Sequence, residues 1–458
     1  MDQSTAHNII HIKEQLHKEF EVTNDQLHTI INQFNKEMKK GLDQEGATVP
    51  MIPSFITKRP TGKEIGRYLA LALSDNTLRV CAFELKGQCG IYTVQQQRYI
   101  VSEQLKRGDM EDLFDFIADC LDNFMEEHGL HRLQYTLPLG FSFSFPFLPS
   151  AINRGKLMYW TKGYYCSSSV DKDIVLLLQH ACASRYIKVK IVALVNDTIG
   201  TLMGYTYLHP ETNICIILGT GVNACYFEKA ENIKKWKGEK GFEEMVINME
   251  WGAFDNEKQV LPLTVYDNQL DRESSNPKQQ IYEKTISSYY LGELVRNVML
   301  HWIDQRFLFN GHSSHLLNQQ WGIKTVYITM ILKDATDEFT ITKQLLQDTF
   351  NIPSTFITLE DCQLVRYICE LVTVRAAKLA AAGLAALLSH MGLLHSPSSP
   401  STVVAVNGYI FESLPDFEPN MLSTLKELFG ASIQDRIKFI LEKNCSCLGA
   451  SIAAMVSS

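Results

Sequence analysis

At 458 residues the chain can fill two or three hydrophobic cores, so a two-lobed body is expected. Hydrophobic residues at 45% and charged residues at 21% are those of a soluble globular protein. A net charge of −8 argues against nucleic acid or an anionic membrane as the main partner.

Taken in order, Ile9, Ile12, Leu16 and Phe20, then Leu27, Ile30, Ile31 and Phe34, recur at helical spacing. Val22-Thr23-Asn24-Asp25 divides them into two helices and supplies a new N-cap. Residues 43–66, with Gly, Pro and Thr, read as a connection. Residues 68–73 and 79–85 read as strands paired around the turn 74–77. Residues 110–128 form an amphipathic helix with Leu113, Phe116, Ile117, Cys120, Leu121 and Phe124 on one side. Residues 139–145 alternate small or polar with aromatic side chains and stop at Pro146. Residues 171–185 are helical and lead into a buried strand, 191–195, closed by Asn196-Asp197.

A second apolar run, 214–218, enters Gly219-Thr220-Gly221. A carboxylate ending one strand and a Gly-rich turn ending a neighbour suit phosphate transfer. Backbone N–H groups in such a turn cradle phosphate oxygens, and the carboxylate takes a proton from a hydroxyl. The competing reading is a solvated turn beside a chance Asn-Asp. Residues 244–250 are a strand candidate and 268–279 a polar surface loop. Long helices are expected at 281–307 and at 364–388, the latter rich in alanine. Its apolar part, 371–388, is interrupted by Arg375 and Lys378 and is not expected to span a membrane. A Ser-Pro loop at 396–401 precedes a strand at 403–406 that ends at Asn407-Gly408. No repeat is visible at periods of about twenty to fifty residues, and strands alternating with long helices indicate an α/β fold.

Eleven cysteines lie without Cys-x-x-Cys pairs or histidines at zinc spacing. Cys445-Ser446-Cys447 is the closest pair, read as structural rather than as a metal or redox site. The opening Met1-Asp2-Gln3-Ser4 lacks a secretory pattern, and the first helix lacks an apolar tip for a mitochondrial surface. A reducing, cytoplasmic compartment is the expectation.

These motifs together closely resemble the hexokinases, from about residue 20 to the C-terminus. The resemblance rests on Leu-Gly-Phe-Ser-Phe-Ser-Phe-Pro (139–146), Trp-Thr-Lys-Gly (160–163), Val-Asn-Asp-Thr-Ile-Gly-Thr (195–201) and Leu-Gly-Thr-Gly-Val-Asn-Ala-Cys-Tyr (218–226). Asn-Met-Glu-Trp-Gly-Ala-Phe (248–254) and Tyr-Glu-Lys-x-Ile-Ser-x-x-Tyr-Leu-Gly-Glu (282–293) follow in order. The Trp251 form of the glutamate motif is similar to animal members. The resemblance implies a two-lobed, actin-like fold of ribonuclease-H-like halves with a cleft between a small and a large lobe. It implies N-terminal helices (1–66) on the large lobe, a small lobe (67–200), a large lobe (201–440) and a C-terminal helix (441–458) returning to the small lobe. A monomer without nucleic-acid or membrane partners is favoured.

By that resemblance Asp197 is the base that accepts the 6-hydroxyl proton of a hexose as it attacks the γ-phosphoryl group of ATP. Ser144, Phe145, Thr161, Lys162, Asn196, Asn223, Glu250 and Glu283 match the sugar-binding positions. A hexose presents hydroxyls that both donate and accept, so carboxylates, amides and an ammonium group are the required mixture. Singly, Glu283 reads more readily as a surface helix residue, Lys162 as a solvated charge and Ser144 as a buried, backbone-bonded hydroxyl. The ordered set favours the sugar site.

The nucleotide half departs from the family. Its Asp-x-Gly-Gly-Thr-Asn phosphate turn is here Ala72-Leu73-Ser74-Asp75-Asn76-Thr77. Ala72 removes the carboxylate that positions Mg²⁺ through water. Ser74 and Asp75 replace glycines that let backbone approach phosphate, and Asp75 brings like charge, costing roughly 4 kcal/mol at about 4 Å and an effective dielectric near 20. Ser288, Val374, Asn407, Tyr409, Cys445 and Cys447 also differ from the family's nucleotide positions. Asn76, Thr77, Arg79, Gly219, Thr220, Gly221, Gly408 and Ser446 remain as nucleotide contacts. ATP with Mg²⁺ at a weakened site is therefore implied, with a reduced rate. The alternatives are a non-catalytic hexose-binding sensor or scaffold, and a kinase for another hexose or a hexosamine.

Overall fold

Two sheets share one internal order. The first is built from β2 (Ile65–Ser74), β3 (Thr77–Lys86), β4 (Tyr92–Ile100), β5 (Leu137–Phe143) and β8 (Val189–Val195), ordered β4-β3-β2-β5-β8. The second holds β1 (Ile52–Pro53), β9 (Thr212–Leu218), β10 (Val222–Lys229), β11 (Glu244–Asn248), β12 (Thr402–Asn407) and β13 (Ile437–Ile440), ordered β1-β11-β10-β9-β12-β13. In each, three consecutive antiparallel strands are extended by two parallel ones. The topology thus carries an internal duplication whose period is far longer than the twenty to fifty residues of short repeats. A hairpin of β6 (Phe147–Ala151) and β7 (Arg154–Leu157) stands apart. The computed structural model describes residues 3–74, 76–88, 90–160, 163–394, 401–442 and 445–457.

Side-chain size decides what covers each face of the first sheet. Leu69, Leu71 and Leu73 of β2 point to one side, under the helix Met110–Glu127 with Leu113, Ile117, Leu121 and Phe124. Ala70 and Ala72 point to the other, as the two-residue period of a strand requires. That alanine face leaves room for the helix Cys445–Val456, which lies so close that a Cβ on Gly140 would sit 1.8 Å from the Ala450 carbonyl oxygen.

The helix Cys445–Val456 follows the second unit in sequence yet rests on β2, β5 and β8 of the first. Reciprocally, the helix Asp197–Leu208 follows the first unit and leans on β9 and β10 of the second. The two helices cross between the sheets on Gly200, Gly204 and Gly449; a Cβ on Gly449 would fall 1.5 Å from the Gly200 carbonyl oxygen. Cys445 and Cys447 are buried in this inner layer.

The third core belongs to the second sheet and the remaining helices. The helices Gln3–Phe20 and Asn24–Asp43 pack on the helix Leu359–His390, and Thr23 and Gln26 cap the second of them reciprocally. Leu359–His390 is long and apolar enough to cross a membrane by composition, but 83% of its most apolar window is buried inside the protein. Its place is the core, which its small residues fit.

Several expectations change. The loop expected at 268–279 begins as the helix Val265–Glu273, capped by Thr264 and Asp267. Two of its acids are buried and paired: Asp267, just before the expected loop, with Arg375 at 2.6 and 2.7 Å, and Asp271, inside it, with Lys284 and Lys258 at 2.8 Å. The single helix expected at 281–307 is two, Ile281–Ile286 and Ser288–Asp304, because Ser287 adopts an extended ψ of 150°. β1, β4, β10 and the β6–β7 hairpin add strands beyond those expected. The Ser-Pro loop lies largely outside the described residues.

Candidate active site

The groups expected to meet a sugar assemble where β9 turns into β10. Gly219 N–H donates to Gly221 O at 3.0 Å, closing the turn, and Ser288 N–H donates to Gly219 O at 2.8 Å. The next backbone N–H, of Val222, donates to Glu283 Oε2 at 2.9 Å. A Cβ on Gly221 would itself lie 2.9 Å from that oxygen, so glycine is what admits the carboxylate.

Asn223 and Glu250 hold one another. Asn223 Nδ2 donates to Glu250 Oε1 at 3.1 Å, and Glu250 N–H donates back to Asn223 Oδ1 at 3.0 Å. Asn248 Nδ2 also donates to Glu250 Oε1 at 2.8 Å. Glu250 carries a φ of 52°, a left-handed conformation that non-glycine residues enter at a cost and that is concentrated at functional sites.

Asp197 heads the helix that follows β8. Asn196 is its N-cap, accepting Thr198 N–H at 3.0 Å, and Asp197 Oδ1 accepts the same N–H at 2.9 Å. Thr201 Oγ1 donates to the Asp197 carbonyl at 2.7 Å. Oδ2 carries no hydrogen bond among the described residues. The Cys225 thiol, two residues beyond Asn223 and on the same face of β10, donates to Thr198 O at 3.2 Å. Asp197, Asn223, Glu250 and Glu283 therefore share one end of the second sheet.

The first unit supplies the opposite wall. Ser144 N–H donates to Leu73 O at 3.2 Å, placing Ser144 beside the start of the turn 74–77. Phe145 packs edge-on against Trp160 at 4.8 Å and Tyr164 at 4.7 Å, and Trp160 Nε1 donates to Ser169 Oγ at 2.7 Å. Tyr159 spans the gap: its hydroxyl hydrogen-bonds the Gln280 side chain, and burial together with the nearby Glu250 and Glu283 raises its pKa. Thr161 and Lys162 lie outside the described residues.

On the nucleotide side, Asn76 Oδ1 accepts the buried Lys106 Nζ at 2.5 Å, and Ser74 Oγ and Thr77 Oγ1 are 3.4 Å apart. Asp75 lies outside the described residues. Thr77 and Arg79 line a cavity on the outer part of the first sheet. Thr220 is exposed on its turn, and Gly408, with φ of 122°, abuts Leu218 and Gly219 so closely that a Cβ would sit 2.4 Å from Leu218 O. Ser446, in the first turn of the inner helix, lies against Gly200. Arg375, beside Val374, is engaged by Asp267 inside the large core.

The Ala72 methyl stands directly opposite Ser142, whose buried hydroxyl has no hydrogen-bond partner among the described residues. No trio of metal-ligating side chains occurs among the described residues.

Three residues of the site escape the sequence reading. Asn248 is two positions before Glu250, the spacing that shares a strand face. Gln280 is one helical turn before Glu283. Tyr159 carries no local signal, since its partners are more than eighty residues downstream.

Two hexokinase family models match in tandem, over residues 12–207 and 213–456. The chain is 35% identical to hexokinase-1 of Saccharomyces cerevisiae over 451 residues, 97% of this chain and 91% of that protein. It is 35% identical to a glucokinase of Aspergillus niger over 464 residues, 93% of each. Its fold is similar to that of a Schistosoma mansoni hexokinase complexed with glucose, with a TM-score of 0.87 and 31% identity over 99% of both chains.

Proposed function

This chain belongs to the hexokinase family of ATP-dependent hexose kinases, and we propose that Asp197 is the base of its phosphoryl transfer. Oδ2 takes the 6-hydroxyl proton as the sugar oxygen bonds to the γ-phosphorus. The bond between that phosphorus and the β–γ bridging oxygen breaks, and ADP leaves. Glu250 and Glu283 accept sugar hydroxyls, and Asn196, Asn223, Ser144, Phe145, Thr161 and Lys162 complete the pocket, with Gln280 and Tyr159 at its mouth. The observation that carries this reading is the convergence of Glu283, Asn223, Glu250 and Asp197 on one strand end.

The eroded turn is the basis for a second inference, that turnover is slow. Ala72 offers no carboxylate to orient a metal at this position, and Mg²⁺, when bound, would be held through the nucleotide phosphates and would neutralise their charge. Gly219, Thr220, Gly221, Gly408, Ser446, Asn76, Thr77 and Arg79 remain for ATP. Loss of one preorganised electrostatic group lowers rates by about 10²–10³. The contrasting reading, a hexose sensor without turnover, is favoured by the orphaned Ser142 hydroxyl opposite Ala72. A coupled assay with glucose, ATP and varied Mg²⁺ decides between them. Turnover above background supports the kinase, whereas calorimetric glucose binding without ATP binding supports the sensor. A panel of hexoses and hexosamines fixes the substrate.

We assign residues 67–200 to the small lobe, 201–440 to the large lobe, 1–66 to the large lobe's flank and 441–458 to the small lobe. The separate cores and the docking of the terminal helices support this division. Cytoplasmic action is supported by the unpaired, buried thiols of the described residues, and the protein is taken to act as a monomer.

A further inference from the structure

The five-stranded sheet is open along the outer side of β4. This strand pairs with β3 from Tyr92↔Leu85 to Ile100↔Thr77 without a register shift, and no strand lies beyond it among the described residues. The direction of its backbone groups follows from its two ends. Lys86 N–H donates to Ile91 O at 3.0 Å, and Val101 N–H donates to Asn76 O at 2.9 Å, so the odd-numbered residues turn towards β3. In an antiparallel ladder the alternate residues point the other way. The N–H and C=O groups of Tyr92, Val94, Gln96, Arg98 and Ile100 are therefore directed out of the sheet.

Proteins guard such an edge with lysine, proline or a bulge, because a free ladder recruits another strand. β4 has none of these: it reads Tyr-Thr-Val-Gln-Gln-Gln-Arg-Tyr-Ile, with Arg98 as its one charge. Val94 and Ile100 are apolar and exposed on it. The outward residues lie symmetrically about Gln96. A two-fold axis there sets Gln96 against the Gln96 of a second copy, Val94 against Arg98 and Tyr92 against Ile100. Each such pair exchanges both backbone hydrogen bonds, and no like charges meet. Any other axis leaves an outward residue past the end of the opposite strand, and an axis at Arg98 would also oppose two arginines, which destabilises a sheet. The net charge of −8 opposes self-association in general. β4 carries no acid, however, and at about 0.15 M salt charges more than about 8 Å apart are largely screened.

We propose that β4 is a self-association edge, where two copies of this chain join by antiparallel pairing about Gln96 and each sheet continues into the other. A second copy fits this edge because its outward backbone groups and side chains complement themselves. A contact made by two strands is small and therefore weak and reversible. Each copy keeps its own cleft, so the acting unit is still one chain. Pairing needs neither sugar nor nucleotide, and failure of the kinase reading leaves it testable.

The test is sedimentation of the full chain over a concentration series in about 0.15 M salt. Gln96→Lys and Gln96→Glu each set like charges on the axis, at an exposed position outside the sugar and nucleotide sets. The expected result is a concentration-dependent dimer in the parent whose dissociation constant rises at least about tenfold in either variant. Mixing the two variants in equal amounts should restore the dimer, because lysine then meets glutamate. Calorimetric glucose affinity within about twofold of the parent shows that both variants fold. A parent that stays monomeric, variants that dimerise as the parent does, or a mixture that stays monomeric would each overturn the proposal.

Discussion

The Glu283 carboxylate accepts the Val222 backbone N–H at 2.9 Å, which fastens an acid of the proposed sugar pocket to the glycine turn proposed to meet the nucleotide. A methyl group on Gly221 would meet the same carboxylate at 2.9 Å. Gly221→Ala is therefore expected to raise the hexose KM about tenfold, as loss of a hydrogen bond to a charged group implies, and to raise the ATP KM as well. Steady-state kinetics in both substrates check it; an effect on ATP alone would separate the two functions.

Asp197→Asn keeps an oxygen for the Thr198 N–H but removes the proton acceptor. A kcat lower by about 10²–10⁴ is expected. Glucose binding by calorimetry should change little. A variant with full turnover would move the base elsewhere.

Restoring the phosphate turn with Ala72→Asp, Ser74→Gly and Asp75→Gly is expected to raise kcat/KM for ATP at least ~10-fold, the lower range for regaining one electrostatic group. The new carboxylate would face both Arg79 and the unsatisfied Ser142 hydroxyl in register. No change in rate would place the limiting step outside this turn.

Asp267 and Arg375 give a pH signature. Burial alone raises the Asp267 pKa, but the Arg375 guanidinium and the bonds from Thr264 outweigh it and hold the carboxyl below its ordinary value of 3.8. The folded pKa is thus depressed, so its stabilisation is complete above about pH 4 and is lost as pH falls through the folded value. Asp267→Asn should cost about 3–5 kcal/mol near neutrality by leaving Arg375 unpaired. The gap from the parent should narrow below about pH 4. Thermal unfolding across pH tests both the size and the sign.

At the helix crossing, Gly449→Ala places a methyl 1.5 Å from the Gly200 carbonyl oxygen unless the helices part. A loss of at least about 1–3 kcal/mol follows from overpacking. It should be read as a lower Tm together with reduced glucose affinity, because Asp197 begins the displaced helix.

Features that depend on neighbours in sequence were legible in advance. Thr23 caps its helix through Gln26, three residues on, and Asn196-Asp197 closes a strand whose apolar run is continuous. The Gly219 turn and Glu250 were found through motifs. Hidden features depend on distant partners. The helix Val265–Glu273 looked like a loop because Asp267 and Asp271 reveal their burial only through Arg375, Lys284 and Lys258. β4 shows no alternation because Gln95, Gln96, Gln97 and Arg98 are polar on both faces of an edge strand. The break at Ser287 interrupts a run with uniform helical spacing, and Tyr159 meets Gln280 only across the gap between the two walls.

The exchange of terminal helices between the two units also governs how the protein can be dissected. Neither half is a free-standing piece: a fragment ending near residue 200 would bare the alanine face of its sheet to water. Grafting residues 445–457 onto such a fragment, across a flexible tether, would restore its missing cover. Any attempt to study one wall of the cleft in isolation must carry that borrowed helix with it.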